Sequence, residues 1–240
     1  MRQSEIITQT DGAGEYEVEV FDCENPKSVI LCVHGNGVRR WDGERFFYAV
    51  ADHYSDRIVI LVDQNQTYMD GCQLNPLEIM VSRVQGIVDM ATKDYPNIPK
   101  IVMGHSMGCG IATQLDTTSV DRMVFVAPVA GDFMGKQINR YGPEVEQGMV
   151  VKTSDGLTKF LTKEYVASFK GIVWEDEYRK FLQKYHEVYV FESGDEEIVG
   201  EERLTHRDMP FAEYTIIPGA KHNLAGEPLH ALFGHTDTLV

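Results

Sequence analysis

The chain has 240 residues, 43% apolar and 25% charged, which is enough for one domain with a full core. Its net charge of −15 argues against nucleic acid and anionic membrane surfaces as partners, since both require basic patches. No apolar run is long enough to cross a bilayer and no apolar leader follows Met1, so no stable membrane insertion is expected and the chain reads as cytoplasmic.

Cys23, Cys32, Cys72 and Cys109 show no paired metal spacing and read as reduced thiols, with no metal or cofactor expected. Residues 16–21 alternate apolar and polar, as an antiparallel edge strand does. The run 28–33 is continuously apolar and reads as a buried strand, ending in His34-Gly35-Asn36-Gly37. Two glycines there let backbone N–H groups face a ligand unobstructed. Residues 43–54 read as a helix with Phe46, Phe47, Val50 and Ala51 on its apolar side, and 58–62 as a buried strand ending at Asp63. The stretch 64–74 reads as a loop. Asn75-Pro76-Leu77-Glu78 has the pattern of a helix start, with Asn75 as the cap. That helix runs to about Lys93, burying Met80, Val84, Ile87, Val88 and Ala91.

After a breaker at 95–99, the apolar run 101–103 leads into Gly104-His105-Ser106-Met107-Gly108 and a helix-like stretch around Ile111. The pattern G-x-S-x-G between a buried strand and a helix is a nucleophile elbow. Its serine occupies a strained turn, and its neighbours two places either side come too close for a β-carbon. The hydroxyl then stands clear at the sheet end, with the Met107 N–H beside it. In this architecture the second oxyanion donor comes from the loop after an earlier strand, which points to the N–H of Asn36.

Residues 123–128 form the next strand, and the alternation of strands and helices implies parallel strands with right-handed crossovers. Residues 131–173 hold no obvious buried strand. Mixed helical signals at 157–163 and 165–169 read as a cap inserted between core segments 1–130 and 174–240. Its apolar residues Phe160, Leu161, Tyr165 and Phe169 suggest an acyl or aromatic ligand. A helix at 175–186, a strand at 187–191 and a last strand at 211–217 complete the chain.

A serine hydroxyl needs a base beside it, and the base needs an orienting carboxylate. Of eight histidines, only His222 follows closely on the carboxyl end of a core strand. His34 and His105 belong to motif loops and read as structural, His53 and His186 lie on helices, His206 precedes the last strand, and His230 and His235 are terminal. Among the carboxylates after the strand at 187–191, Asp195 has the shortest reach and the usual residue type. Glu196 competes, because Glu196-Glu197-Ile198-Val199 has the acid-x-x-Val spacing.

Over nearly its whole length the chain resembles the α/β-hydrolase superfamily. Residues 104–108 match the elbow and 34–37 the oxyanion loop. Pro218-Gly219-Ala220-Lys221-His222 is similar to the loop that carries the base in the monoacylglycerol lipase and lysophospholipase-like branch. The resemblance implies an α/β fold with an eight-stranded, mostly parallel central sheet flanked by helices, and a small helical cap after the sixth strand. The chain departs from the pattern at Asp63-Gln64-Asn65-Gln66, which lacks the usual glycine-rich turn, and in the register of the acid turn. The expected activity is hydrolysis of a small-molecule carboxylic ester by Ser106, His222 and Asp195, with the oxyanion held by Asn36 and Met107. The alternatives are a slow or non-catalytic binding protein on the same fold, or cleavage of amide, thioester or carbon–carbon bonds. No P-loop or dinucleotide fingerprint is present.

Overall fold

The apolar runs of the sequence become the centre of a sheet covered on both faces. The computed structural model describes residues 2–41, 45–68, 70–152, 156–199, 204, 209 and 212–240. Strands β1 (Glu5–Asp11), β2 (Gly14–Phe21), β3 (Val29–Val33) and β4 (Ile58–Val62) open the chain, with helix α1 (Phe46–His53) between β3 and β4. A short hairpin follows, β5 (Gln66–Tyr68) and β6 (Gly71–Leu74), then α2 (Leu77–Asp94), β7 (Lys100–His105), α3 (Met107–Ala112) and β8 (Arg122–Val126). Next come α4 (Phe133–Tyr141), β9 (Met149–Lys152), β10 (Thr158–Leu161), α5 (Lys163–Ser168) and α6 (Trp174–Leu182). The chain closes with β11 (Val188–Ser193), β12 (Glu213–Ile217) and α7 (Glu227–Thr236).

The main sheet has eight strands in the order β1-β2-β4-β3-β7-β8-β11-β12. Pairing is parallel from β4 through β12 and antiparallel where β2 joins β1 and β4. Every residue of β3, β4 and β7 is buried, which explains their unbroken apolar character. On one face α2, α3 and α6 pack through Val84, Val88, Ile111 and Trp174; on the other α1 and α7 pack through Phe46, Phe47, Val50, Leu232 and Phe233. Among the described residues no helix is long and apolar enough to cross a membrane, and no disulfide joins the cysteines.

Four sequence expectations need correction. The polar strand β1 was not expected; it is half-exposed and gains its place by pairing with β2 along its length. The stretch 64–74 is not a loop but supplies β5 and β6. β6 pairs with β10, which in turn pairs with β9, giving a second sheet in the order β5-β6-β10-β9. The segment 131–173 is therefore not helical alone: the helical signal at 157–163 is the strand β10. Asn75 does not cap α2, whose cap position is Pro76. Instead the Asn75 side chain donates to Gln64 O at 2.9 Å, and its backbone N–H donates to Asn65 Oδ1 at 3.1 Å. A buried polar turn outcompeted the local capping pattern.

The tightest packing lies where α3 leaves the sheet. A β-carbon on Gly108 would fall inside the contact distance of the Val33 carbonyl, and one on Gly104 would lie 2.8 Å from the Cys109 backbone. Neither neighbour is a flexible side chain. Gly108→Ala is therefore expected to lower the free energy of unfolding by about 3 kcal/mol, measured by urea denaturation.

Candidate active site

Ser106 lies between β7 and α3 at φ 56° and ψ −123°, a conformation that strains any residue with a β-carbon. Hydrogen bonds hold its backbone from both sides. Its N–H donates to Val126 O at 2.9 Å, and its carbonyl accepts from Cys109 at 3.1 Å and Val129 at 3.3 Å. Met107 opens α3, so its N–H is one of the first-turn amides that a helix leaves without an internal acceptor. Gly35 comes close from β3: a β-carbon there would lie 3.1 Å from Ser106 Cβ and 3.5 Å from Oγ. The 34–37 loop and the elbow thus meet at Ser106.

Buried polar groups shape the 34–37 loop from behind. The Gln64 side chain donates to His34 O at 2.6 Å, and His34 Nδ1 donates to Gly35 O at 3.0 Å. Arg40 is buried and pairs with Asp63, with Glu19 at 3.0 Å and with Glu17 at 2.8 Å. Burial pushes the Asp63 carboxyl up, against the opposing pull of His34 and Arg40. The turn after β4 therefore supports this loop through side chains rather than glycines.

His222 follows β12, and its side chain is 4% exposed. Its Nδ1 donates to Glu196 Oε2 at 2.8 Å, and the Glu196 side chain is 1% exposed. Burial pushes the Glu196 carboxyl up, but the His222 hydrogen bond and the N–H groups of Val199 and Ile198 outweigh it and hold it at about 2. The His222 backbone is fixed as well. Its N–H donates to Glu197 Oε2 at 3.1 Å, and its carbonyl accepts from His105 Nε2 at 2.8 Å. Burial, helped by His222 alongside, holds His105 down to about 3, so its ring is neutral and links the elbow to the His222 loop. Among the described residues no hydrogen bond joins Ser106 Oγ to His222. With Nδ1 engaged by Glu196, Nε2 is the ring nitrogen available to another partner. Among the described residues no three His, Cys, Asp or Glu side chains converge as a metal site.

The family model for the alpha/beta hydrolase family matches residues 30–234. This chain belongs to the alpha/beta hydrolase family. Solved structures share its fold. A soluble variant of monoglyceride lipase from Saccharomyces cerevisiae has a TM-score of 0.77 at 14% identity, covering 99% of this chain and 94% of that one. Est1E from Butyrivibrio proteoclasticus has a TM-score of 0.69 at 16% identity, with 97% and 96% covered. A carboxyl esterase from Bacillus coagulans has a TM-score of 0.66 at 14% identity, with 100% and 99% covered. No curated protein matches the chain at the level of sequence.

In this alpha/beta hydrolase the carboxylate on the histidine is not Asp195. Asp195 is exposed, and its backbone N–H donates to Ala220 O at 2.8 Å in the turn that follows β11. Glu196 comes directly after that turn. One of its oxygens accepts from Ile198 at 2.7 Å and Val199 at 2.9 Å while the other reaches His222. The acid-x-x-Val spacing was the signal that should have outweighed the usual residue type. The apolar residues expected to line a ligand also differ. Leu161, Tyr165 and Phe169 are buried in the core, and Phe160 faces outward against Tyr68. Of the other histidines, His206 lies outside the described residues.

Glu196→Gln is expected to reduce kcat by roughly 10²- to 10⁴-fold, because the amide no longer stabilises the imidazolium or holds its tautomer. Asp195→Asn is expected to stay within about twofold of wild type in the same ester assay. The pH dependence of stability has a definite sign. The Glu196 carboxyl is held at about 2 against 4.5 unfolded, so its contribution is full above 4.5 and is lost as pH falls toward about 2. Urea unfolding should show wild type and Glu196→Gln converging in stability on acidification across that window.

Proposed function

We propose that this alpha/beta hydrolase is a serine hydrolase that cleaves carboxylic esters through an acyl-enzyme. The observation that carries this reading is Ser106 held at positive φ at the carboxyl end of β7, the end of the parallel strands after which the buried His222–Glu196 pair also lies, with His105 bonded to the His222 carbonyl. Ser106 Oγ attacks the ester carbonyl carbon while His222 Nε2 takes its proton. The N–H groups of Asn36 and Met107 receive the oxyanion. Glu196 stabilises the imidazolium, which then protonates the departing alcohol. Water repeats the sequence on the acyl-enzyme and frees the acid.

The similar structures support the ester class. The yeast lipase is described in complex with a substrate analog, Est1E with ferulic acid, and the Bacillus esterase with glycerol. The segment 131–173, joined to 66–74 through the second sheet, serves as a cap beside the carboxyl ends of the strands. The acidic composition supports an enzyme that acts without nucleic acid or anionic membrane surfaces as partners, and the four free cysteines support a cytoplasmic setting. One observation favours a second reading, a slow or non-catalytic binding protein: the missing Ser106–His222 hydrogen bond. Such bonds often tighten only with substrate, which keeps the hydrolase reading ahead.

Hydrolysis of p-nitrophenyl esters of increasing acyl length, wild type beside Ser106→Ala, tests the proposal. Wild-type turnover is expected to fall by at least ~10³-fold in the variant. A fluorophosphonate probe should label wild type and not the variant. A wild type that neither turns over esters nor takes the probe would favour the binding protein.

A further inference from the structure

We infer that Tyr165 is a positioning residue for the oxyanion hole: from the inserted segment, its hydroxyl grips the Asn36 side chain and so aims the Asn36 N–H. The inference rests on the oxyanion role proposed above for that N–H. Two groups of the insertion hold Asn36. The Tyr165 hydroxyl donates to Asn36 Oδ1 at 2.7 Å, and Lys159 Nζ donates to Asn36 O at 3.3 Å. One holds the side chain and the other the carbonyl, so the α-carbon that bears the proposed donor is restrained on two sides. Asn36 lies between Gly35 and Gly37, whose backbones are intrinsically free, and without these restraints its N–H would lose most of its value by pointing elsewhere, since electrostatic stabilisation depends on preorganisation.

Tyr165 is itself rigidly framed. It is fully buried, and burial keeps its hydroxyl protonated and able to donate. Its ring packs on Phe169 with centroids 5.0 Å apart, and Phe169 packs on Phe133 at 4.8 Å. Its N–H donates to Thr162 Oγ1 at 3.0 Å. Its carbonyl accepts from Ser168 Oγ at 2.7 Å, and that oxygen accepts in turn from the Leu77 N–H at the start of α2, at 2.9 Å. A continuous series of short contacts thus runs from a core helix through α5 to the loop after β3. Any residue at position 36 would offer a backbone N–H; the carboxamide is what Tyr165 holds.

The test compares Tyr165→Phe, Asn36→Ala and the double variant in two assays, each scaled to titrated active sites. One assay is the rate at which a fluorophosphonate labels Ser106, and the other is kcat and KM on a p-nitrophenyl ester. Both single variants keep the Asn36 N–H. Each is expected to lose roughly 10- to 100-fold in kcat and in labelling rate, with KM within about twofold. The double variant should be no slower than the slower single one, because both remove the same link. A purely structural tyrosine would lower Tm and the active fraction but leave the rate per active site unchanged. If Tyr165→Phe does not fold, Asn36→Ala, at a half-exposed position, carries the test alone. Unchanged rates in an active wild-type background, or losses that simply add, would overturn the positioning role while leaving the serine hydrolase intact. A wild type that is never labelled would remove both.

Discussion

The close approach of α3 to β3 and β7 is the constraint on which the site depends. A strand that turns into a helix within one residue forces Ser106 to positive φ, and a conformation of that kind costs on the order of 1–3 kcal/mol. The surroundings over-determine it: three backbone hydrogen bonds clamp Ser106, and Gly104 and Gly108 allow backbones to meet where a β-carbon would collide. The result is a hydroxyl displayed at the sheet end beside the first amide of a helix. Moving any of these parts by an ångström would separate the hydroxyl from that amide.

Around that turn the electrostatics are arranged by burial. His222 and Glu196 are almost fully withdrawn from solvent, where their interaction is stronger than it would be in water. The carboxylate tolerates burial because two backbone N–H groups and the imidazole satisfy its oxygens. His105, next in chain to Ser106, stays neutral and spends its N–H on the His222 carbonyl, so the loops bearing His222 and Ser106 cannot drift apart independently.

The second sheet ties remote parts of the chain to the same place. Residues 66–74 and 149–161 are separated by α2, β7, α3, β8 and α4, yet they pair into one layer beside the 34–37 loop. Arg40, Asp63 and Gln64 support that loop from the core side, while Lys159 of β10 and Tyr165 of α5 hold it from the other. The departure from a glycine-rich turn after β4 has its reason here: the turn is built of buried side chains that bond the loop.

The parallel core, the elbow conformation of Ser106, the 34–37 loop that meets it and the place of His222 just past β12 were legible in the sequence. Each rests on local physics: a run of apolar residues buried on both faces, glycines where backbones meet, and a histidine just past a strand end. Three features were decided only in three dimensions. The carboxylate bonded to His222 is that of Glu196 rather than Asp195, because the turn after β11 leaves Asp195 exposed and carries Glu196 to the imidazole. The hairpin at 66–74 becomes strand only by pairing with β10, a partner more than 80 residues away, and short strands are not stable alone. The aromatic residues at 165 and 169 are core because α5 packs against α2, so their apolar character reflects packing, and of the two only Tyr165 reaches Asn36, through its hydroxyl. In each case local sequence left more than one state of similar energy, and a contact distant in sequence chose between them.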